Sequence, residues 1–138
     1  MKKITIRSAE FCIESEDLIR VTLFDNIEFE RSDADELFNV LKQLTSGKKF
    51  YVLTQTYESF TVNSEVRQYL AENIASTGVI ANAICIKSLP IRFIINGYIK
   101  INKPNIPTKT FNSESAALEW IDKMRQSNID RETLSKKK

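Results

Sequence analysis

Any chemistry carried by this chain has to come from thiols, carboxylates, hydroxyls or amines, because its 138 residues include no histidine. The common acid–base shuttle, the commonest zinc ligand and a phosphohistidine relay are thereby missing. Cys12 and Cys85 are the two thiols, far apart and each set in a strand-like run of β-branched or aromatic neighbours. They read as buried reduced side chains rather than a disulfide or an activated nucleophile. Asp33, Asp35 and Glu36 gather three carboxylates. They fall in the first turn of a helix opened by Ser32-Asp33-Ala34-Asp35, a start of the capping-box type, where the helix dipole favours acids. Paired cysteines, a glycine-rich phosphate loop and a Gly-x-Ser-x-Gly elbow are all lacking. The expectation is a protein that is not an enzyme, with no catalytic residue, metal or cofactor.

The elements that would position any other function fit one domain, since the length suits a single core and 42% apolar with 28% charged residues is ordinary globular composition. Much of the net charge of +2 sits in Lys136, Lys137 and Lys138 rather than in a basic surface interleaved with aromatics, which argues against nucleic acid as a partner. Met1 to Arg7 lacks the apolar run of a signal peptide and no window reaches transmembrane length. The expectation is a cytoplasmic protein without an integral membrane segment, with a domain over 1–126 and a charged, flexible tail over 127–138.

Along the chain, Glu10–Glu14 and Leu18–Phe24 form a hairpin whose core face carries Phe11, Ile13, Ile19, Val21 and Leu23. A helix follows with Leu37, Phe38, Leu41 and Leu44, ended by Gly47, and then a strand over Lys49–Thr54. A second helix over Glu65–Ile74 presents Val66, Leu70 and Ile74, and Ser76-Thr77-Gly78 stops it. Val79–Ile86 is apolar on both faces apart from Asn82, the pattern of a central parallel strand covered on both sides. Ser88-Leu89-Pro90 opens a third helix whose core face is Ile91, Ile94, Ile95 and Tyr98. After a proline-punctuated loop, a short strand over Thr108–Phe111 leads to a last helix with Ala117, Trp120, Ile121 and Met124 at helical spacing. The fold class is α/β: a mixed sheet with an N-terminal antiparallel hairpin and parallel central strands, packed by four helices.

Two surfaces stand out. Tyr57, Ser59, Asn63, Ser64 and Glu65 lie where a strand's carboxyl end meets a helix start, a common place for partners to bind in α/β sheets. Leu89, Phe93 and Ile101, with Gly97 among them, fall off the core face of the third helix. That surplus is either buried by the neighbouring helix and terminal segment or left to meet a ligand, a partner or a second copy.

The run Ile101-Asn102-Lys103-Pro104-Asn105-Ile106-Pro107-Thr108, then Phe111, then Ala117-Leu118-Glu119-Trp120-Ile121, resembles a family of small bacterial STAS/SEC14-like proteins related to anti-sigma-factor antagonists. The resemblance extends more loosely over Phe11 to Met124. It implies a STAS-like fold and a non-enzymatic regulatory module that binds a protein partner. Its lipid-binding side implies, as the alternative, an apolar small-molecule ligand, and the third helix offers a homodimeric scaffold. In true antagonists a serine at the start of the second helix, within Asp-Ser-Ser/Thr-Gly, is phosphorylated. Here Asn63-Ser64-Glu65 keeps the serine without the acid before it or the glycine after it, and Ser64 reads as a helix cap.

Overall fold

A computed structural model describes residues 3–57 and 59–136, with side chains through Ile129. The strands are β1 (Lys3–Thr5), β2 (Ala9–Ser15), β3 (Leu18–Leu23), β4 (Ile27–Phe29), β5 (Phe50–Thr56), β6 (Phe60–Val62), β7 (Val79–Ile86) and β8 (Thr108–Phe111). The helices are α1 (Arg31–Thr45), α2 (Ser64–Asn73), α3 (Leu89–Gly97) and α4 (Glu114–Lys136). A 3-10 turn (Ile74–Thr77) follows α2, and a π-turn (Tyr98–Asn102) prolongs α3.

Among the described residues the main sheet has six strands in the order β1-β2-β3-β5-β7-β8. β1, β2 and β3 pair antiparallel, and β3, β5, β7 and β8 pair parallel. The hairpin and the central parallel position of Val79–Ile86 are therefore as the residue pattern required. The pattern did not reveal β1, or the small parallel pair of β4 with β6.

Each parallel pair joins strands that follow one another along the sheet. Crossovers of one hand then stack α1, α2 and α3 on the same face. Alternation along the strands sorts the side chains accordingly. Phe11, Ile19, Val21, Val52 and Val79 pack with Phe38 and Leu41 of α1 and Val66 of α2. Further along that face, Ile84 and Ile86 pack with Ile91 and Ile95 of α3. The opposite face, with Leu18, Tyr51, Leu53, Ala81, Ala83 and Cys85, is covered by Ala117 and Ile121 of α4. Small alanines on β7 let α4 lie close. Ile13, read as part of the core face, sits at its exposed margin.

The helix starts differ from the residue reading in detail. α1 begins earlier than the Ser32 start, with Glu30 as cap, and the Glu30 backbone N–H donates to the Asp33 carboxylate at 2.8 Å. Asp33 is 1% exposed. Arg7, from the β1–β2 link, meets it with both Nε and Nη2 and also donates to the Glu28 carbonyl. Burial opposes ionisation of Asp33, but the hydrogen bonds from Arg7 and from the Glu30 backbone outweigh it and hold the carboxyl below its usual range. At the other end of α1, Thr45 Oγ1 donates to the Thr77 carbonyl at 2.8 Å. A Cβ on Gly78 (φ +95) would lie 2.8 Å from that hydroxyl oxygen, so the turn into β7 needs glycine twice over.

α4 extends into the stretch read as a tail. It stays helical through Lys136, well into the stretch read as flexible, while Lys137 and Lys138 lie outside the described residues. The periodic apolar positions stop at Met124, but polar ties carry the helix on. Arg125 donates from Nε and Nη2 to the two Asp17 oxygens at 2.8 Å each, and Asn128 Nδ2 donates to the Tyr51 hydroxyl at 2.7 Å. The Arg125 hydrogen bonds keep the Asp17 carboxyl below its usual range despite partial burial.

Candidate functional site

The face beneath α1, α2 and α3 is not one continuous core. Between the cluster under α1 and α2 and the cluster under α3 lies a cavity of about 120 Å³. Its floor is Val52 and Thr54 of β5 with Asn82 and Ile84 of β7. Leu37 and Leu41 of α1 and Arg67 and Leu70 of α2 form one side, and Ile94 and Ile95 with the adjoining Tyr98 form the other. Phe29, Phe60 and Val62, from the small β4–β6 pair, line it as well.

Few polar groups enter it. Thr54 Oγ1 donates to Asn82 Oδ1 at 2.8 Å, which spends the acceptor of Asn82 and leaves its amide donors without a hydrogen bond among the described residues. Arg67 is the one charged group in the lining among the described residues, and its Nη1 donates to the Val62 carbonyl at 3.0 Å. The Tyr98 hydroxyl makes no hydrogen bond among the described residues. Burial raises the phenol well above its ordinary pKa, so it stays a protonated donor. The site is therefore an apolar volume whose lining includes three side chains able to donate, Asn82, Tyr98 and Arg67, a composition suited to an apolar body bearing one acceptor.

The residues singled out from sequence lie elsewhere. Leu89, Phe93 and Ile101 stand 78%, 84% and 76% exposed, so neither the neighbouring helix nor the C-terminal helix buries them. They and Gly97 follow the outer side of α3 and its π-turn, while Ile94, Ile95 and Tyr98 reach the cavity from the inner side. Tyr57 is exposed after β5. Ser59 ties two turns together, with its hydroxyl donating to Asn26 Oδ1 at 3.0 Å and its carbonyl accepting from the Asn26 N–H at 2.7 Å. Asn63, not Ser64, caps α2, accepting from the Val66 N–H at 2.9 Å, and Ser64 is the exposed first residue of the helix. Asn63 and Glu65 line a shallow groove of about 500 Å³ with Glu28, Glu30, Arg31 and Thr61, which Tyr57 and Ser59 do not reach.

A family described as a domain of unknown function (DUF7793) matches residues 11–125. The chain belongs to that family. No curated protein and no solved structure matches the chain. In this DUF7793 chain the match runs from Phe11 on β2 to Arg125 on α4, so it takes in every strand and helix that lines the cavity.

The remaining chemistry is sparse. Cys85 is buried and Cys12 only half so, and the two form no disulfide. Burial, then the nearby Glu114 charge, push the Cys85 thiol up, away from a reactive thiolate. Among the described residues no group of three or more Cys, Asp or Glu is placed to hold a metal ion, and no helix is long and apolar enough to cross a membrane.

Of the residues that line the cavity, Asn82 left a trace in the sequence as the polar interruption of an otherwise apolar strand. Tyr98 was legible only as part of the core face of the third helix, and Thr54 and Arg67 did not stand out. Their convergence comes from three separate crossovers, and no local spacing encodes it.

Proposed function

We propose that this domain binds an apolar small molecule, or the apolar part of an amphipathic one, in the cavity between the sheet and α1, α2 and α3. One observation carries the reading: an apolar space of about 120 Å³ whose lining includes Tyr98, Asn82 and Arg67 among apolar side chains. A native core is close-packed, and an engineered apolar cavity of about 150 Å³ is enough to bind a single aromatic ring. A space of this size takes a ring or a short acyl chain, with a carbonyl or carboxylate toward Tyr98, Asn82 and Arg67. The lipid-binding side of the STAS/SEC14-like resemblance supports the same class of ligand, and the reading is of a non-enzymatic binding module.

Native mass spectrometry and thermal shift with short fatty acids and single-ring aromatics test it. The expected result is a bound adduct or a rise in melting temperature that Leu70→Trp, which fills the space, removes. A clean apo mass with no thermal shift across that panel would overturn it.

A second reading, a STAS-like regulatory module binding a protein partner, is supported by the order of the hairpin and the alternating helices and strands. The groove beside the starts of α1 and α2, with Ser64 exposed next to it, is where such a partner would bind. One partner retained from the source cell, and lost on both Glu65→Arg and Ser64→Asp, is the expected result. Retention unchanged by either substitution removes this surface.

A further inference from the structure

We infer that the outer face of α3 docks onto the surface of an anionic lipid bilayer. A surface helix normally turns its apolar stripe inward and its polar side to water. α3 has a complete inner stripe, with Ile91 and Ile95 buried, and a second apolar row on the opposite side. Leu89, Phe93 and Ile101 in that row are each at least three-quarters exposed, at 78%, 84% and 76%. Nothing lies within 4 Å of where a Cβ on Gly97 would stand, so the row runs open between Phe93 and Ile101. The π-turn takes more residues per turn than an α-helix and so brings Ile101 back toward the line of Phe93.

The charge around the row decides what covers it. From Asn73 through Ser113 the sequence contains no Asp or Glu, yet it carries Lys87, Arg92, Lys100, Lys103 and Lys109. Lys87, Lys100 and Lys103 are exposed and have no carboxylate partner among the described residues. Elsewhere many cations are matched, as Lys3 is with Glu10, Arg20 with Glu14 and Glu114, and Lys123 with Glu119, although Lys42 and Lys48 also have no carboxylate partner among the described residues. An exposed apolar row with an aromatic at its centre and unmatched lysines beside it is the composition of a helix lying in a bilayer interface. Anionic headgroups supply the countercharge. A second copy packed on the same row would instead bring like-charged Lys100 and Lys103 of the two chains toward one another. The observation is independent of the cavity, and either inference stands if the other fails.

Co-sedimentation of the full chain with vesicles tests it. Phosphatidylcholine vesicles are compared with vesicles of phosphatidylcholine mixed with phosphatidylglycerol. Binding is expected to the mixed vesicles and to fall with added salt. Leu89→Ser with Phe93→Ser should weaken it by about tenfold or more. Lys100→Gln with Lys103→Gln should also weaken it by about tenfold and flatten the salt dependence. All four side chains are exposed, and unchanged Trp120 fluorescence and circular dichroism confirm that the variants fold. Equal sedimentation with both vesicle types, none with either, or binding indifferent to the Phe93 change overturns the inference. So does concentration-dependent dimerisation that Phe93→Ser dissolves in a protein that leaves vesicles unbound.

Discussion

The Asp33 carboxylate shows how a residue's type can be read from sequence while its partner cannot. Three acids in a first helical turn announce a cap, and the cap is there, shifted to Glu30. That Arg7 closes over Asp33 depends on the path of the β1–β2 link, which no helical spacing encodes. Asp33→Ala should cost about 1–3 kcal/mol in denaturant unfolding, since it leaves the Glu30 N–H without its acceptor. Because the folded pKa of Asp33 is lowered, its ionic contribution is complete above the unfolded value of about 3.9 and is lost as pH falls through the lower folded value. Unfolding curves of wild type and Asp33→Asn should therefore converge as pH drops below about 4. Gly97 stands in helical backbone with no neighbour crowding its missing Cβ, so Gly97→Ala should stabilise by about 0.5–1 kcal/mol in the same assay.

At the level of elements, apolar periodicity located the four helices and the central strands well, because each buries a face. It failed where polar contacts take over, as in α4 beyond Met124. Arg125→Ala should cost about 1–2 kcal/mol by removing the paired hydrogen bonds to Asp17 that pin this part of α4 to the β2–β3 turn. The β5–β7 pair carries a second, sharper expectation. Asn82→Leu alone leaves the Thr54 hydroxyl buried without its acceptor and should destabilise by about 1–3 kcal/mol. Adding Thr54→Val removes the stranded donor, and thermal or denaturant melting should return to within about 1 kcal/mol of wild type. The apolar surplus on α3 was visible in the sequence, but its exposure was not, since coverage depends on where α2 and the loop to β8 come to rest.

For the whole molecule, stacking α1, α2 and α3 on one face leaves the core of that face in two clusters, and the space between them is the feature that local pattern could not show. α3 with its π-turn is then a shared wall, with Tyr98 and Ile95 toward the cavity and Phe93 toward the outside. A ligand in the cavity and a surface bound to the outer row would touch different methyl groups of the same helix. Methyl NMR of the full chain titrated with hexanoate separates them most directly. Binding in the cavity predicts saturable shifts at Ile84, Ile94, Ile95 and Leu70, with Leu89 and Ile101 still, and loss of those shifts in Leu70→Trp. Shifts confined to Leu89 and Ile101, or none at any of these methyls, would contradict it.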